Sequence, residues 1–273
     1  MLDGSHHAML QRSRGTASAD FAMRRGAARL VDLHQSGSAK LMLPMVPGSV
    51  PEAVFLNTSG GLTGGDQLAF GMTLGAGCHL LATTQTAERA YQAPDGPAQV
   101  TVSATVGAGG RLDWLPQETI LYQSSHLVRR TEVDLAAGAS CLLAETVILG
   151  RHAMGEFVTN AHLTDHRMIS RNGRPVWAES FALTPQVLTS ASPALLNGAR
   201  ALAVVCLVAQ GAEDAVGPVR AALQFGAASG WDGKCVVRLI AMDGWRLKQQ
   251  LARVLQILSG RPLPRVWASG VPE

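Results

Sequence analysis

The chain has 273 residues and a mass of 28.7 kDa, enough to bury a substantial core in one large domain. Apolar residues make up 47% and charged residues only 16%, which excludes a disordered chain and points to a surface partly covered by other proteins. The net charge of +3 comes from scattered Lys and Arg with no basic run to follow a phosphate backbone, so nucleic acid is not expected as a partner.

Residues 1–20, which include His6 and His7, are polar and aperiodic and read as a flexible arm. No apolar segment follows Arg12 and Arg14, and the longest wholly apolar run, 201–209, is too short for a membrane span. A cytoplasmic protein with no membrane partner is expected. Leu30-Val31-Asp32-Leu33 and Lys40-Leu41-Met42-Leu43 are short strand candidates, after which Pro44, Pro47 and Pro51 break the chain. Ala53-Val54-Phe55-Leu56 then leads as a strand into Asn57-Thr58-Ser59-Gly60-Gly61-Leu62-Thr63-Gly64-Gly65-Asp66. Two Gly-Gly pairs are costly to order unless the backbone shape matters. Either a double turn or a shaped loop holding Asp66 at the mouth of the next strand fits the spacing. Beyond it Leu68, Phe70, Met72 and Leu74 alternate at period two, the pattern of a strand with one buried face.

Three similar corners follow: Leu74-Gly75-Ala76-Gly77, Val106-Gly107-Ala108-Gly109 and Leu135-Ala136-Ala137-Gly138. Each lies between two strand patterns, and they recur about every thirty residues, a spacing typical of stacked supersecondary units. Such a unit cannot bury its apolar face alone, so the expected fold is mainly β, a stacked or coiled β-helix-like body. A β-sandwich would give nearly the same pattern. The connections after the strands carry Glu88, Glu118 and Glu156, and stacking of corresponding loops should gather these carboxylates on one side.

After Phe157 the pattern changes. Asn172-Gly173 predicts a hairpin, with Pro175 restricting pairing near the turn. Strands are expected over 200–208 and 234–241, with a helix over 214–223 interrupted near Gly217 and Pro218. The clearest helix starts at Asp243 as N-cap, carries Leu247, Leu251, Val254, Leu255 and Leu258 on one face, and stops at Gly260 and Pro262. Helices therefore belong to a small C-terminal α/β region.

The glycine loop is followed by Asp66, Gln67 and Leu68 where a phosphate-binding loop needs Lys and Ser or Thr, and no dinucleotide fingerprint or nucleophile elbow is present. Cys78, Cys141, Cys206 and Cys235 are isolated, announcing neither a zinc site nor a disulfide framework, and read as small buried residues. What remains is oxygen and imidazole: Asp66, Glu88, Glu118, Glu145 and Glu156, with His79, His126 and His152. These ligand types suit Ni²⁺, Co²⁺ or Zn²⁺, but their dispersal over loops suits transient contact better than a permanent centre.

Taken together, several motifs resemble those of the urease accessory protein UreD family, called UreH in some bacteria. They are the glycine loop, Thr83-Thr84-Gln85-Thr86-Ala87-Glu88-Arg89, Leu115-Pro116-Gln117-Glu118-Thr119-Ile120, Leu149-Gly150-Arg151-His152-Ala153-Met154-Gly155-Glu156, Gly260-Arg261-Pro262 and Pro264-Arg265-Val266-Trp267. They occur in the family's order from Phe21 onward. The resemblance implies one domain over 21–273, with a repeat-like β body over 21–160 and a hairpin plus α/β region over 161–273. It also implies a non-catalytic chaperone that joins UreF and the GTPase UreG on the urease apoprotein and helps deliver Ni²⁺. No permanently bound cofactor is implied, and GTP hydrolysis belongs to the partner. A polar internal passage is implied as well, with Asp66, Glu88, Glu118 and Glu156 as candidates for its lining by position. Weakly binding groups suit a passage, because a deep trap would stop transfer. One end of the stack is expected to dock the apoprotein and the C-terminal helical region UreF, the face of Leu251, Leu255 and Leu258 being core. The residues alone leave open a small-molecule hydrolase or isomerase using Glu118 and Glu156 on a β-helix scaffold, or a purely structural solenoid.

Overall fold

The computed structural model of the chain describes residues 12–46, 48–151 and 154–268. Its first strands, β1 (Arg14–Arg24) and β2 (Ala27–Gly37), pair antiparallel. The arm expected over 1–20 is therefore strand from Arg14 on. Ala17, Ala19 and Phe21 point inward while Thr16, Ser18 and Asp20 face out, so the alternation is written in residues too small to register as apolar. The remainder of that arm, 1–11, lies outside the described residues.

The chain then coils. β3 (Ala39–Met42) pairs with β4 (Glu52–Asn57) in a second sheet, while β5 (Gln67–Leu74) returns to lie parallel to β1. A corner leads to β6 (His79–Thr84), parallel to β4, followed by the short β7 (Glu88–Ala90). The next circuit lays β8 (Ala98–Val106) on β5, β9 (Arg111–Trp114) on β6 and β10 (Thr119–Leu121) on β7, all parallel. A third lays β11 (His126–Leu135) on β8 and β12 (Ser140–Leu149) on both β9 and β10. β13 (His162–Arg171) stacks in turn on β11, so the coil runs past residue 160, where the repeat-like body was expected to end. The result is a β-solenoid of about four turns, as the corner repeats predict.

The glycine loop starts a third side of this coil. Leu62 bridges Ala90 in parallel, its N–H donating to the Arg89 carbonyl at 2.7 Å and its own carbonyl accepting from Tyr91 N at 2.7 Å. Gly61 has φ 148°, and a Cβ there would lie 2.8 Å from the Arg89 carbonyl oxygen and 2.3 Å from the Tyr91 ring. Both conformation and contact require glycine. Leu62, Ala90, Leu121 and Leu149 thereby form successive rungs. Between the sheets Phe55, Phe70 and Trp114 form the aromatic centre of the core, with Phe55 and Phe70 centroids 4.8 Å apart.

β13 and β14 (Arg174–Leu183) form the expected hairpin about Asn172-Gly173, and the register shifts beside Pro175, which has no N–H to donate. The short α1 (Pro185–Thr189) follows. β15 (Ala201–Val208) then extends the second sheet antiparallel to β12. A 3₁₀ turn over 212–215 runs into α2 (Val216–Ala222). Gly217 and Pro218 stand in the first turn of α2 rather than interrupting it, where a missing N–H costs nothing. β16 (Ala227–Trp231) and β17 (Lys234–Ala241) complete the sheet.

Helix α3 (Gly244–Ser259) is capped by Asp243, whose Oδ1 accepts from Arg246 N at 2.8 Å, and ends at the left-handed Gly260. Its face of Leu247, Leu251, Val254, Leu255 and Leu258 is buried in a second core against β15 and β17. Each such leucine stabilises by about 1.5–3 kcal/mol. The closing α4 (Arg265–Ala268) carries Trp267, whose Nε1–H donates to the Leu115 carbonyl at 2.9 Å and ties the C-terminal region to the coil. All four cysteines are free and buried. No helix among the described residues is long and apolar enough to cross a membrane.

Two stability predictions follow from corner and cap. In Gly107→Ala the new Cβ would sit 2.6 Å from Ala76 N and 2.7 Å from the Gly75 carbonyl carbon, both main-chain atoms of the corner below. A cost of about 1–3 kcal/mol is expected, read as a fall in thermal midpoint; an unchanged midpoint would show that the corners do not bear on one another. Asp243→Ala should cost about 1 kcal/mol in denaturant titration through loss of the α3 cap.

Candidate functional site

The loops that carry the four candidate carboxylates lie along the third side of the coil, and each carboxylate has partners. Asp66 is buried; its Oδ1 accepts from Ser13 N at 2.7 Å and its Oδ2 from Thr63 N at 2.8 Å, so it closes the glycine loop and fastens it to the start of β1. Glu88 takes the Asn57 amide on Oε2 at 3.1 Å and Arg89 N on Oε1 at 3.0 Å. Burial pushes its carboxyl above the usual range, and these hydrogen bonds only partly offset the desolvation. Glu118 is its neighbour, the Glu118 carbonyl accepting from Glu88 N at 2.9 Å, while the Glu118 carboxylate lies 3.5 Å from Lys248 Nζ on α3.

Glu156 is held by Arg151, with Oε2 accepting from Nε at 2.8 Å and from the main-chain N at 3.0 Å, and Oε1 from Gln123 N at 3.1 Å. Desolvation opposes ionisation there, but the Arg151 contacts outweigh it and lower the pKa. Stacking thus brings Glu88 and Glu118 to adjoining rungs, with Asp66 close enough to repel the Glu88 charge. Glu118 and Glu156 are each tied to a separate cation. Among the described residues no three or more His, Cys, Asp or Glu side chains converge to hold a metal. His79 lies elsewhere, its Nε2 3.1 Å from Asp113 Oδ2, and His152 falls outside the described residues.

The densest polar cluster is inside the coil. Arg129 projects inward from β11, Glu145 from β12, and Asp165 and Arg167 from β13. Arg129 Nη1 lies 2.6 Å from Glu145 Oε2; its Nε and Nη2 donate to the two Asp165 oxygens at 3.1 and 2.5 Å, a bidentate fork. Arg167 also donates to Asp165 and continues to Glu179 on β14 at 3.3 Å, which in turn meets the exposed Arg238 on β17 at 2.5 Å. Glu145 Oε1 further accepts from Trp114 Nε1 and Thr131 Oγ1, each at 3.2 Å. Desolvation works against the charges of Arg129, Glu145 and Asp165. For Asp165 the two guanidinium groups overcome it and hold the carboxyl below its ordinary range, while for Glu145 burial prevails and pushes the carboxyl up.

Two cavities have Glu145 in their lining. One of about 40 Å³ is lined by Glu88, Trp114, Gln117, Thr119 and Arg129 among others, and has room for a water-sized occupant. The other, about 270 Å³, is lined by Arg167, Glu179, Phe181 and Arg238 and opens beside β14 and β17. Of the four carboxylates expected to line a passage, Glu88 lines the inner cavity; Asp66, Glu118 and Glu156 stand on the surrounding loops. Of the cluster, Glu145 is among the carboxylates that residue type alone brings forward; Arg129, Asp165, Arg167 and Glu179 are not. The signal for Arg129 is its parity: it shares the inward face of β11 with Leu127, Val133 and Leu135.

The chain matches the family model described as UreD urease accessory protein over residues 13–268, which takes in all of β1. A urease accessory protein UreD from Cereibacter sphaeroides is 57% identical over 263 residues, covering 94% of this chain and 96% of that protein. The corresponding protein of Paracoccus denitrificans is 49% identical over 272 residues, with 98% and 96% covered. That of Rhizobium etli is 42% identical over 261 residues, with 94% and 96% covered. With the solenoid and its stacked corners in place, the chain belongs to the UreD family of urease accessory proteins.

Proposed function

We propose that this protein is a non-catalytic, cytoplasmic scaffold for urease maturation, which joins UreF and the GTPase UreG on the urease apoprotein and gives Ni²⁺ cargo a polar route through the solenoid. The observation that carries this reading is the run of charged and polar side chains from Glu88 past Arg129 and Glu145, inside a coil otherwise packed with Leu, Phe and Trp, out to Glu179 and the exposed Arg238. The shared name of the relatives ties the family to urease. In this route Glu88 and Glu145 line the inner cavity, with Asp66, Glu118 and Glu156 on the loops beside it. Arg129 and Arg167 are matched by Glu145 and Asp165, which among the described residues leaves Glu88 as the one carboxylate on the inner cavity without a paired cation, too few ligands to trap the cargo.

The second, C-terminal layer of α2, α3 and the exposed Trp245, Met242 and Ile240 is the surface assigned to UreF. Because Leu251, Leu255 and Leu258 are core, the contact must use side chains outside that stripe.

Co-expression with UreF should yield a soluble complex recovered by pull-down; a protein that stays monomeric in the presence of UreF would count against the scaffold reading. Glu88→Gln and Glu118→Gln should leave that complex intact and lower urease activation several-fold. Full activation in both would remove these carboxylates from the route.

A further inference from the structure

His126 opens β11 and His162 opens β13, and the parallel pairing of these strands sets the two residues directly opposite each other. Both belong to the outward parity of their strands, the inward parity being Leu127 and Leu163. Their ring centroids are 5.3 Å apart with planes inclined at 47°, the only imidazole pair in ring contact among the described residues. Two other histidines are already engaged: His79 Nε2 with Asp113, and His166 Nδ1 with Ser180 Oγ at 2.8 Å. Neither His126 nor His162 has a hydrogen-bonded or ion-paired protein partner on its ring among the described residues.

The spacing suits a shared ligand. With metal–nitrogen bonds of about 2.0–2.1 Å and a ring nitrogen about 1.2 Å from the ring centre, each centroid would stand about 3.2 Å from a common cation. With one nitrogen of each ring turned toward a common point, a centroid separation of 5.3 Å corresponds to a nitrogen–metal–nitrogen angle of about 110°, close to tetrahedral. Rotation of the half-buried His126 is limited by its surroundings, whereas the exposed His162 can turn to meet it.

We propose that His126 and His162 form a two-imidazole site for a borderline divalent cation such as Ni²⁺ or Zn²⁺ on the outer face of the first sheet. The ligand type selects such ions over Mg²⁺ or Ca²⁺, and the remaining coordination positions belong to water, which makes the site weak and exchangeable. It is separate from the polar interior and does not depend on the route proposed there.

The test is titration of the full-length protein with Ni²⁺ alone, and separately with Zn²⁺ alone, against a competing chromophoric chelator. His162→Gln and His126→Gln are compared with the parent, with His6 and His7 retained throughout so that their contribution is common to all three. Thermal melts confirm folding, and His162→Gln, at an exposed position, keeps the test valid should the half-buried position prove sensitive. Each variant should lose the same binding event or weaken it by about tenfold or more. Unchanged binding in His162→Gln, or loss in one folded variant and not the other, overturns a shared site.

Discussion

Parallel hydrogen bonding without slip between β5, β8, β11 and β13 is the constraint on which the molecule depends, because it forces side chains of one parity into columns. Leu68, Val100, Arg129 and Asp165 form one column; Phe70, Val102, Thr131 and Arg167 form the next. Both begin apolar; the first turns charged at Arg129, and the second turns polar at Thr131 and charged at Arg167. A third column, Met72, Ala104, Val133 and Ile169, stays apolar and keeps the sheets packed beside the change. The same register that makes the core also makes the polar interior.

Such an interior is costly. A buried carboxylate or guanidinium loses hydration that pairing only partly replaces, and replacing matched ion pairs by well-packed apolar residues is often neutral or stabilising. This protein keeps the pairs, two guanidinium groups against two carboxylates, with Trp114 and Thr131 supplying further hydrogen bonds to Glu145. Stability alone does not require that arrangement. What it does create is a polar, charge-paired interior with Glu145 in the lining of two cavities.

The sequence reveals the parts of the fold whose signals are local. Three Gly/Ala corners at a constant interval, Asn172-Gly173 between alternating runs, and Asp243 with Gly260 around a leucine stripe each declare an element through its own residues. β1 escapes notice because its inward residues are Gly, Ala and Ala before Phe21, small enough to fit under the first turn but silent as a hydrophobic pattern. The charged cluster escapes for a different reason. Asp165 and Arg167 look like any surface pair until the stacking of β13 on β11 turns them inward, and that pairing joins segments 36 residues apart. The candidate loops lie on one side as stacking requires, but which carboxylate reaches the interior depends on hydrogen bonds from Ser13, Asn57 and Gln123 and on the ion pair with Lys248, all remote in sequence from their partners.

The contact between successive corners, with Gly107 close against Gly75 and the Gly109 N–H donating to the Ala137 carbonyl, also governs how such a chain can change over evolution. With main chain resting on main chain, that edge behaves like the spine of a book: it fixes the spacing of the leaves and leaves no space for an added residue. Any lengthening of a turn must be taken up on the opposite margin, among the loops that carry Glu88, Glu118 and Glu156. New partner contacts can therefore be added or lost at that margin while the spine holds the columns, and the charges within them, in place.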